Sequence, residues 1–359
     1  MNIFHCTTQI ITGAGSISEL GKMNIKRLLL VCDPFFIKNG TAEKIICSSG
    51  NPISHIFSKI SPDPSVTLAA EGVTVLREFH PDTVIALGGG SAMDVAKAMI
   101  YFSDLQPTLV AIPTTSGSGS EVTDFSILTH DGIKHPLVDD TLKPSVAIID
   151  GDLVSTLPPA LIAEGGFDLI SHAIEAYVAR NNTLISNALA AQALHIAIDG
   201  LLPSFQGNLS VRQDLHIAAT MAGIAFSQAG LGLCHAMSHS LGGEFHIPHG
   251  RINAILLPVV IDHNSVVCGA QYAQLARRIH PYSSDSVAIR SMKNTLLQLR
   301  RSMKLPGTLE EAGIKPTFVT EKIEHLIDAT MNDPCCQSNP VLPTREMVRS
   351  IMMEVRGRG

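Results

Sequence analysis

Hydrophobic residues fall into short continuous runs in the first part of the chain and into helically spaced stretches in the second. Four runs stand out in the first part, at residues 27–32, 82–87, 108–112 and 145–149. Runs of this length predict strands that are buried on both faces, as in a parallel sheet. Residues 65–80, between the first two runs, have helical periodicity. The alternation of strand and helix therefore predicts an open α/β sheet.

The strand pattern fades after Leu157-Pro158-Pro159, and long stretches rich in Ala, Leu and Ile follow at residues 184–202, 210–226, 271–279 and 287–303. We expect a domain boundary here. The sequence predicts a Rossmann-like α/β domain at 1–157 and an all-helical domain at 158–359.

Composition narrows the class of protein. Of 359 residues, 16% are charged and 45% are hydrophobic, with a formal net charge of −6. The low charged fraction favours a homo-oligomer, and the absence of a basic block argues against a nucleic-acid partner. Seven cysteines without a CxxC pair favour reduced thiols in the cytoplasm. The N-terminus lacks a signal-peptide pattern and the longest apolar runs are short, so we expect neither export nor a membrane.

Two clusters in the second half have the spacing of metal ligands. Asp168 and His172 are four residues apart, as are His235 and His239, and His249 follows on a Pro/Gly turn. On a helix this spacing places both side chains of a pair on one face. One Asp and three His would bind a divalent cation with an open coordination position, as in a catalytic site. Taken singly, each pair is also compatible with a simple side-chain contact.

The ends of the predicted strands carry residues suited to a nucleotide. Gly88-Gly89-Gly90-Ser91 joins a strand to a helix, where backbone N–H groups can approach a pyrophosphate. The segment 114–121 is a second loop rich in hydroxyl groups and glycine. Asp33 closes the first strand and could accept hydrogen bonds from ribose, which would favour NAD over NADP. An ordinary strand-to-helix turn and a turn-forming Asp before Pro remain alternatives.

With these residues in view, the chain resembles the iron-dependent (group III) alcohol dehydrogenases over nearly its full length. The resemblance is carried by five motifs in family order, namely Gly88-Gly89-Gly90-Ser91 with Asp94 and Lys97; Pro113-Thr114-Thr115 with Gly119-Ser120-Glu121; Asp168 with His172-Ala173 and Glu175-Ala176; His235 with His239 and Leu241-Gly242; and Pro248-His249-Gly250 with Asn253-Ala254 and Leu256-Leu257-Pro258. Within the family, the segments 225–233 and 242–248 look most like the 1-propanol dehydrogenases of bacterial microcompartments. Arg251 departs from the family pattern, and we expect it to affect substrate or oligomer contacts.

The resemblance implies a dehydroquinate synthase-like fold and a role for each matching residue. The implied metal ligands are Asp168, His172, His235 and His249, and His239 is implied to lie beside the nicotinamide as a proton relay. His246 is an alternative relay, although a surface position is the simpler interpretation. The residues implied to bind the dinucleotide are Asp33, Gly89, Gly90, Ser91, Asp94, Thr114, Thr115, Ser118 and Lys134.

The function implied is NAD-linked interconversion of a short-chain primary alcohol and its aldehyde, with propanal and 1-propanol or acetaldehyde and ethanol as substrates. Fe²⁺ is the expected metal and Zn²⁺ the alternative, since zinc binds more tightly than iron in the divalent series. The resemblance also suggests propanediol utilization, a homodimer or larger homo-oligomer, and a place in the cytoplasm inside a microcompartment, with shell or lumen proteins as partners. The alternatives are a polyol dehydrogenase or a lyase on the same scaffold, and a non-catalytic component of a larger assembly.

Overall fold

Strands occupy the first half of the chain in the computed structural model, which describes residues 4–130, 133–281 and 284–358. They are β1 (Gln9–Thr12), β2 (Arg27–Cys32), β3 (Ile53–Phe57), β4 (Thr83–Gly88), β5 (Thr108–Pro113), β6 (Phe125–His130), β7 (Ile133–Val138) and β8 (Val146–Ile149). The helices are α1 (Pro34–Lys38), α2 (Thr41–Ser48), α3 (Val66–Phe79), α4 (Gly90–Tyr101), α5 (Pro159–Val178), α6 (Leu184–Phe205), α7 (Arg212–Ala229), α8 (Leu233–Phe245), α9 (His249–Ile279), α10 (Asp285–Ser302), α11 (Pro316–Glu321), α12 (Ile323–Asn332), α13 (Cys335–Ser338) and α14 (Arg345–Val355).

The chain divides into two compact units, one spanning His5–Thr156 and the other holding the residues from Leu157 onward. In the first unit, six strands form a parallel sheet in the order β1-β8-β5-β4-β2-β3. The predicted open parallel sheet is thus confirmed. Strands β6 and β7 form a separate antiparallel pair.

Both faces of the parallel sheet are buried, which explains its continuous apolar runs. Leu28 and Leu30 of β2 pack on one face, with Ile45 of α2. Leu29 of β2 packs on the other face, with Met99 of α4. Successive side chains of a strand point to opposite faces, so a strand covered on both sides needs an apolar residue at every position.

The edge strands β1 and β3 were not predicted from the sequence. Strand β1 has four residues, and Ile53, Ser54 and His55 of β3 are exposed. A short strand at the edge of a sheet needs no continuous apolar run, so the signal that identified the central strands is missing there.

Every secondary-structure element in the described part of the second unit is a helix. Helix α5 packs against α6, α7 and α9, and α8 packs against α9 and α12. Helix α9 is continuous from His249 to Ile279 except for a kink at Cys268, whereas the sequence predicted a helix only from residue 271. Helix α9 therefore carries a predicted ligand at its first residue and packs along much of the unit.

Two helices, α6 and α9, are long and apolar enough to span a membrane by length and composition alone. The sequence argument from short apolar runs did not anticipate them. Both helices pack among helices of the same unit, α6 against α7 and α5, and α9 against α5 and α10. This packing accounts for part of their apolar character.

Candidate metal centre and nucleotide loops

Helix α5 places the first two predicted ligands on one face. Pro158 and Pro159 occupy its N-cap and first position, where a missing N–H costs nothing. Asp168 and His172 lie one turn apart, with 3.8 Å between Asp168 Oδ1 and His172 Nε2. The His172 ring stacks on Phe226, with ring centroids 4.3 Å apart. The local sequence thus directs an imidazole and a carboxylate towards the same point.

Helices α8 and α9 bring the remaining two predicted ligands to the same carboxylate. His235 Nε2 lies 3.7 Å from Asp168 Oδ1, and His249 Nε2 lies 3.6 Å from it. Pro248 is the N-cap of α9, so His249 is the first residue of that helix. Three imidazole nitrogens therefore surround one carboxylate oxygen at nearly equal distances.

These spacings fit a divalent cation. Ligand atoms about 2.1 Å from a tetrahedral ion lie about 3.4 Å from one another, close to the separations observed here. The ligand atoms of Asp168, His235 and His249 all lie within 4.8 Å of one another, and His172 is linked to them through Asp168. One carboxylate oxygen and three imidazole nitrogens suit iron or zinc.

The carboxylates of the cluster favour positive charge on the neighbouring imidazoles. Burial opposes a charge on Asp168, but the nearby His172, His235 and His249 hold the pKa of its carboxyl group well below the usual range. Burial likewise opposes a charge on His235, but the adjacent carboxylates of Asp168 and Glu175 outweigh it and raise the pKa of His235 to about 9. The centre thus concentrates negative charge around a histidine ligand.

Two further side chains form hydrogen bonds to the predicted ligands. Glu175 accepts hydrogen bonds from His235 Nδ1 at 2.5 Å and from the backbone N–H of Cys234 at 2.7 Å. Asn253 Nδ2 donates to Asp168 Oδ1 at 2.9 Å. The sequence analysis gave neither residue a role. Helical spacing could have identified both residues as neighbours of the ligands. Glu175 lies three residues after His172, and Asn253 lies four residues after His249.

The two candidate relay residues and the Cys234 thiol have different environments. His239 stacks on His249, with ring centroids 5.1 Å apart, and its Nδ1 lies 2.8 Å from Asp333 Oδ2. His246 is exposed at the C-cap of α8. The Cys234 thiol is buried against Asn253, and burial raises its pKa well above the usual value. Cys234 therefore has the environment of a packed residue.

Arg251 forms an ion pair with Glu164, one turn before Asp168 on α5. Its Nε donates to Glu164 Oε1 at 3.0 Å, and its terminal Nη2 donates to the same oxygen. The backbones of α9 and α5 also approach closely at the preceding residue, Gly250. A Cβ atom added to Gly250 would lie only 1.9 Å from the backbone oxygen of Glu164, so the position has no space for a side chain. Arg251 thus ties α9 to α5 beside the ligands.

The predicted nucleotide loops lie at the carboxyl ends of neighbouring strands. Gly88 of β4 pairs with Pro113 of β5, and Thr114 donates its backbone N–H to the carbonyl of Gly88 at 2.9 Å. A Cβ on Gly89 would lie 3.2 Å from Thr115 Oγ1, and one on Gly90 would lie 3.4 Å from Ser118 Cβ. The two loops are therefore in contact, with Ser91 in the first turn of α4.

Lys97 of α4 holds the end of the second loop, residues 120–125, through hydrogen bonds. The residue is only 1% exposed. Its Nζ donates to the backbone oxygens of Ser120, Thr123 and Phe125 at 2.6 to 2.9 Å. Burial lowers the pKa of Lys97 to about 8, against the opposing charge of Asp94. Burial raises the pKa of Asp94 to about 7, and Lys97 lowers it in turn. Asp94 is thus part of this anchor as well as a predicted cofactor residue.

Three other carboxylate or ammonium groups of this unit have defined partners. Lys134 pairs with Asp63 at 2.8 Å. Asp33 caps α1, where its Oδ1 accepts the N–H of Phe35 at 2.7 Å. Asp150, at the end of β8, is fully buried and accepts three backbone N–H groups, among them that of Gly15 at 2.9 Å. Asp150 therefore stabilises the fold at the end of β8.

Comparisons with known proteins identify the family of the chain. The model of the family described as "Iron-containing alcohol dehydrogenase" matches residues 7–151, and that of the "Fe-containing alcohol dehydrogenase family, C-terminal" matches residues 162–355. The chain belongs to the iron-containing alcohol dehydrogenase family. It is therefore an oxidoreductase, a metal-dependent alcohol dehydrogenase, as the sequence predicted.

Two relatives show how evenly the similarity is spread. The chain is 36% identical to the 1-propanol dehydrogenase PduQ of Citrobacter freundii, with 99% of this chain and 100% of that protein covered. It is 35% identical to an NADPH-dependent butanol dehydrogenase of Clostridium saccharobutylicum, with 97% and 96% covered. The two relatives are named for different alcohols, and the name of the second also gives its cofactor, NADPH.

Solved structures confirm the fold. An iron-containing alcohol dehydrogenase from Thermococcus thioreducens matches with a TM-score of 0.92 at 31% identity, covering 98% of this chain and 99% of that one. The sulfoacetaldehyde reductase of Bifidobacterium kashiwanohense, in complex with NAD⁺, matches with a TM-score of 0.90 at 28% identity, covering 99% and 98%. Iron and NAD, the cofactors expected from the sequence, are consistent with the family's name and with this complex.

Proposed function

We propose that the chain is an iron-dependent, NAD-linked dehydrogenase that interconverts 1-propanol and propanal, or a neighbouring short-chain primary alcohol and its aldehyde. The observation that carries this proposal is the placement of His172, His235 and His249 Nε2 at 3.6 to 3.8 Å from Asp168 Oδ1. A metal ion with a coordination number above four would keep a position for the substrate oxygen beside these four ligands, so we assign them to Fe²⁺, with Zn²⁺ as the alternative.

When bound, the metal supplies a Lewis acid that stabilises the alkoxide form of the alcohol. The chain's own residues supply the rest. Asn253 fixes Asp168 by donating to Oδ1, and Glu175 fixes the ring of His235. His239, stacked on His249, is assigned as the proton relay, because one ring nitrogen of an imidazole can accept a proton while the other holds one.

The nucleotide is assigned to the carboxyl ends of β2, β4 and β5. There the Gly89-Gly90-Ser91 turn at the N-terminus of α4 offers N–H groups and partial positive charge to a pyrophosphate. We assign the same role of cofactor contact to Asp33, Asp94, Thr114, Thr115, Ser118 and Lys134. The carboxylate of Asp33 would repel a 2′-phosphate, which favours NAD over NADP.

An uncharged substrate fits the charges near the ligands. A phosphorylated or acidic substrate needs free cationic groups beside the metal. On the described ligand-bearing segments, Arg251 is the cation nearest in sequence to a ligand, and its guanidinium is paired with Glu164. Similarity to 1-propanol and butanol dehydrogenases supports the same substrate class.

We also propose that the enzyme acts in the cytoplasm, inside a bacterial microcompartment of propanediol utilization, as a homodimer or larger homo-oligomer. The resemblance to the microcompartment 1-propanol dehydrogenases and the charged fraction of 16% support this. Light scattering of the purified enzyme gives the oligomer size, and co-purification with shell or lumen proteins gives the location. A monomer free of such partners would contradict both parts.

The function is tested by metal analysis of protein purified without air, together with NADH oxidation at 340 nm. The substrate panel contains C2–C4 aldehydes, dihydroxyacetone and sulfoacetaldehyde. We expect stoichiometric metal and the highest kcat/KM with propanal. His249→Ala should abolish turnover with an unchanged circular dichroism spectrum. Near-normal activity with metal still bound in that variant, or a preference for sulfoacetaldehyde, would refute the proposal.

A further inference from the structure

His239 has a carboxylate partner from a distant part of the chain. Its Nδ1 lies 2.8 Å from Oδ2 of Asp333, 94 residues away in sequence. Both side chains are mostly buried, with 18% and 12% of their surfaces exposed. A hydrogen bond between an imidazole and an ionised carboxylate is stronger than one between neutral groups, particularly away from water. The orientation of the His239 ring is therefore set by Asp333.

Asp333 is itself held in place through its other oxygen. It follows α12 directly, and its Oδ1 accepts the backbone N–H of Cys335 at 2.8 Å, at the start of α13. Burial opposes ionisation, but the hydrogen bonds from His239 and Cys335 outweigh it and lower the pKa of Asp333. Each oxygen of the carboxylate thus has a fixed donor, and the group cannot turn away from His239 without losing one.

This arrangement selects one tautomer of the imidazole. An ionised carboxylate only accepts hydrogen bonds, so Nδ1 of His239 must carry a proton. In the neutral ring, Nε2 is then unprotonated and available as a base.

We propose that Asp333 is a positioning residue that holds His239 in the tautomer whose Nε2 accepts the substrate proton. The inference rests on the proposed function, in which His239 is the proton relay. In alcohol oxidation the O–H bond breaks and an N–H bond forms at Nε2, while the electron pair of the carbinol C–H bond leaves as hydride to NAD⁺. The imidazolium that results lies against the Asp333 carboxylate and later releases its proton to water.

Asp333→Asn tests the proposal with little disturbance of the fold. The amide oxygen can still accept the N–H of Cys335, but the amide nitrogen that replaces Oδ2 is a donor and cannot accept from Nδ1. We expect kcat for alcohol oxidation to fall on the order of 10²-fold, a typical contribution of general-base catalysis. KM for the alcohol and for NAD⁺, and the metal content, should stay within about twofold. Asp328→Asn, which removes an exposed carboxylate of α12 paired with Arg345, is the matched control.

A double-mutant cycle with His239→Asn separates positioning from a structural role. If Asp333 acts through His239, the Asp333→Asn change should have almost no effect on kcat in the His239→Asn background. The solvent deuterium isotope effect on kcat should also rise in Asp333→Asn, because proton transfer becomes slower. A kcat loss that persists unchanged without His239, or a normal kcat in Asp333→Asn, would overturn the inference.

The same cycle distinguishes this inference from the function on which it rests. Full activity of His239→Asn would remove the proposed relay and the inference together. A slow His239→Asn enzyme beside a normal Asp333→Asn enzyme would leave the relay in place and overturn the role of Asp333 alone.

Discussion

Glu175 Oε2 lies 2.5 Å from Nδ1 of His235, and both side chains are at most 2% exposed. The ring nitrogen opposite this contact, Nε2, faces Asp168. A carboxylate behind a ligand histidine fixes the ring orientation and increases the basicity of the ligand nitrogen. The second oxygen of Glu175 binds the N–H of Cys234, so α5 holds the start of α8 in register with its own ligands.

Glu175→Gln should therefore weaken metal binding without removing a ligand. The amide keeps the shape of the side chain but loses the charge that favours a metal-binding His235. Loss of such a partner typically lowers metal affinity 10- to 100-fold. Competition with a chromophoric chelator under anaerobic conditions measures the change.

Glu244→Gln is the matched control, because Glu244 lies on the same helix as His235 and pairs with Lys322. It should leave the affinity at the wild-type value. Equal affinities for Glu175→Gln and the wild-type protein would show that the carboxylate does not support the ligand.

A methyl group at Gly250 should displace the fourth ligand. The added Cβ would lie 1.9 Å from the backbone oxygen of Glu164, so α9 must move away from α5 together with His249. Overpacking of this kind costs roughly 1–3 kcal/mol. Gly250→Ala should lower Tm by several degrees and reduce the metal content, measured by thermal unfolding and elemental analysis.

Gly269→Ala, on the same helix with its nearest contact at 3.7 Å, should do neither. Comparable behaviour of the two variants would contradict the close approach of these helices.

The features that the sequence predicted are those with a local signal. Spacing of four residues on α5 and on α8 is enough to place Asp168 beside His172 and His235 beside His239. The central strands carry continuous apolar runs because both faces of the sheet are covered, and their ends identify the loops at Gly89 and Thr115. Each of these signals lies within about ten residues of chain.

The features that were missed depend on contacts between distant residues. Nothing around Asp333 distinguishes it from a turn-forming residue before Pro334, and its partner His239 is 94 positions away. The anchoring of residues 120–125 by Lys97 likewise requires the fold, because a lysine in an Ala-rich helix is usually solvated. The edge strand β1 is four residues long and carries too few residues for any pattern to be distinguished.

Lys97→Met should loosen the loop that follows β5. Methionine has nearly the same length, so the main loss is the donor to the backbone oxygens of Ser120, Thr123 and Phe125. Unsatisfied buried acceptors cost about 1–3 kcal/mol each. We expect a lower Tm and a KM for NAD⁺ raised roughly tenfold, an energy of about 1.4 kcal/mol.

The control for Lys97→Met is Lys44→Met, which makes the same substitution at an exposed lysine of α2 in the same unit. Its Tm and its KM for NAD⁺ should match those of the wild-type enzyme. If Lys97→Met also matched the wild type in both measurements, the ammonium group would have no anchoring role.

The charge of Asp33 should set the preference between NAD and NADP, and its helix cap allows this to be tested cleanly. Because Oδ1 accepts the N–H of Phe35, a substitution by glycine would remove the cap together with the charge.

Asp33→Asn keeps an oxygen for the cap and removes only the charge that repels a 2′-phosphate. We expect the ratio of kcat/KM for NADP⁺ to that for NAD⁺ to rise roughly tenfold, which is about 1.4 kcal/mol of relieved repulsion. Asp139→Asn changes a half-buried carboxylate that caps a turn in the same way, through the N–H of Thr141, and should leave the ratio unchanged. An unaltered ratio in Asp33→Asn, with Tm as in the wild type, would mean that Asp33 caps α1 and does not contact the ribose.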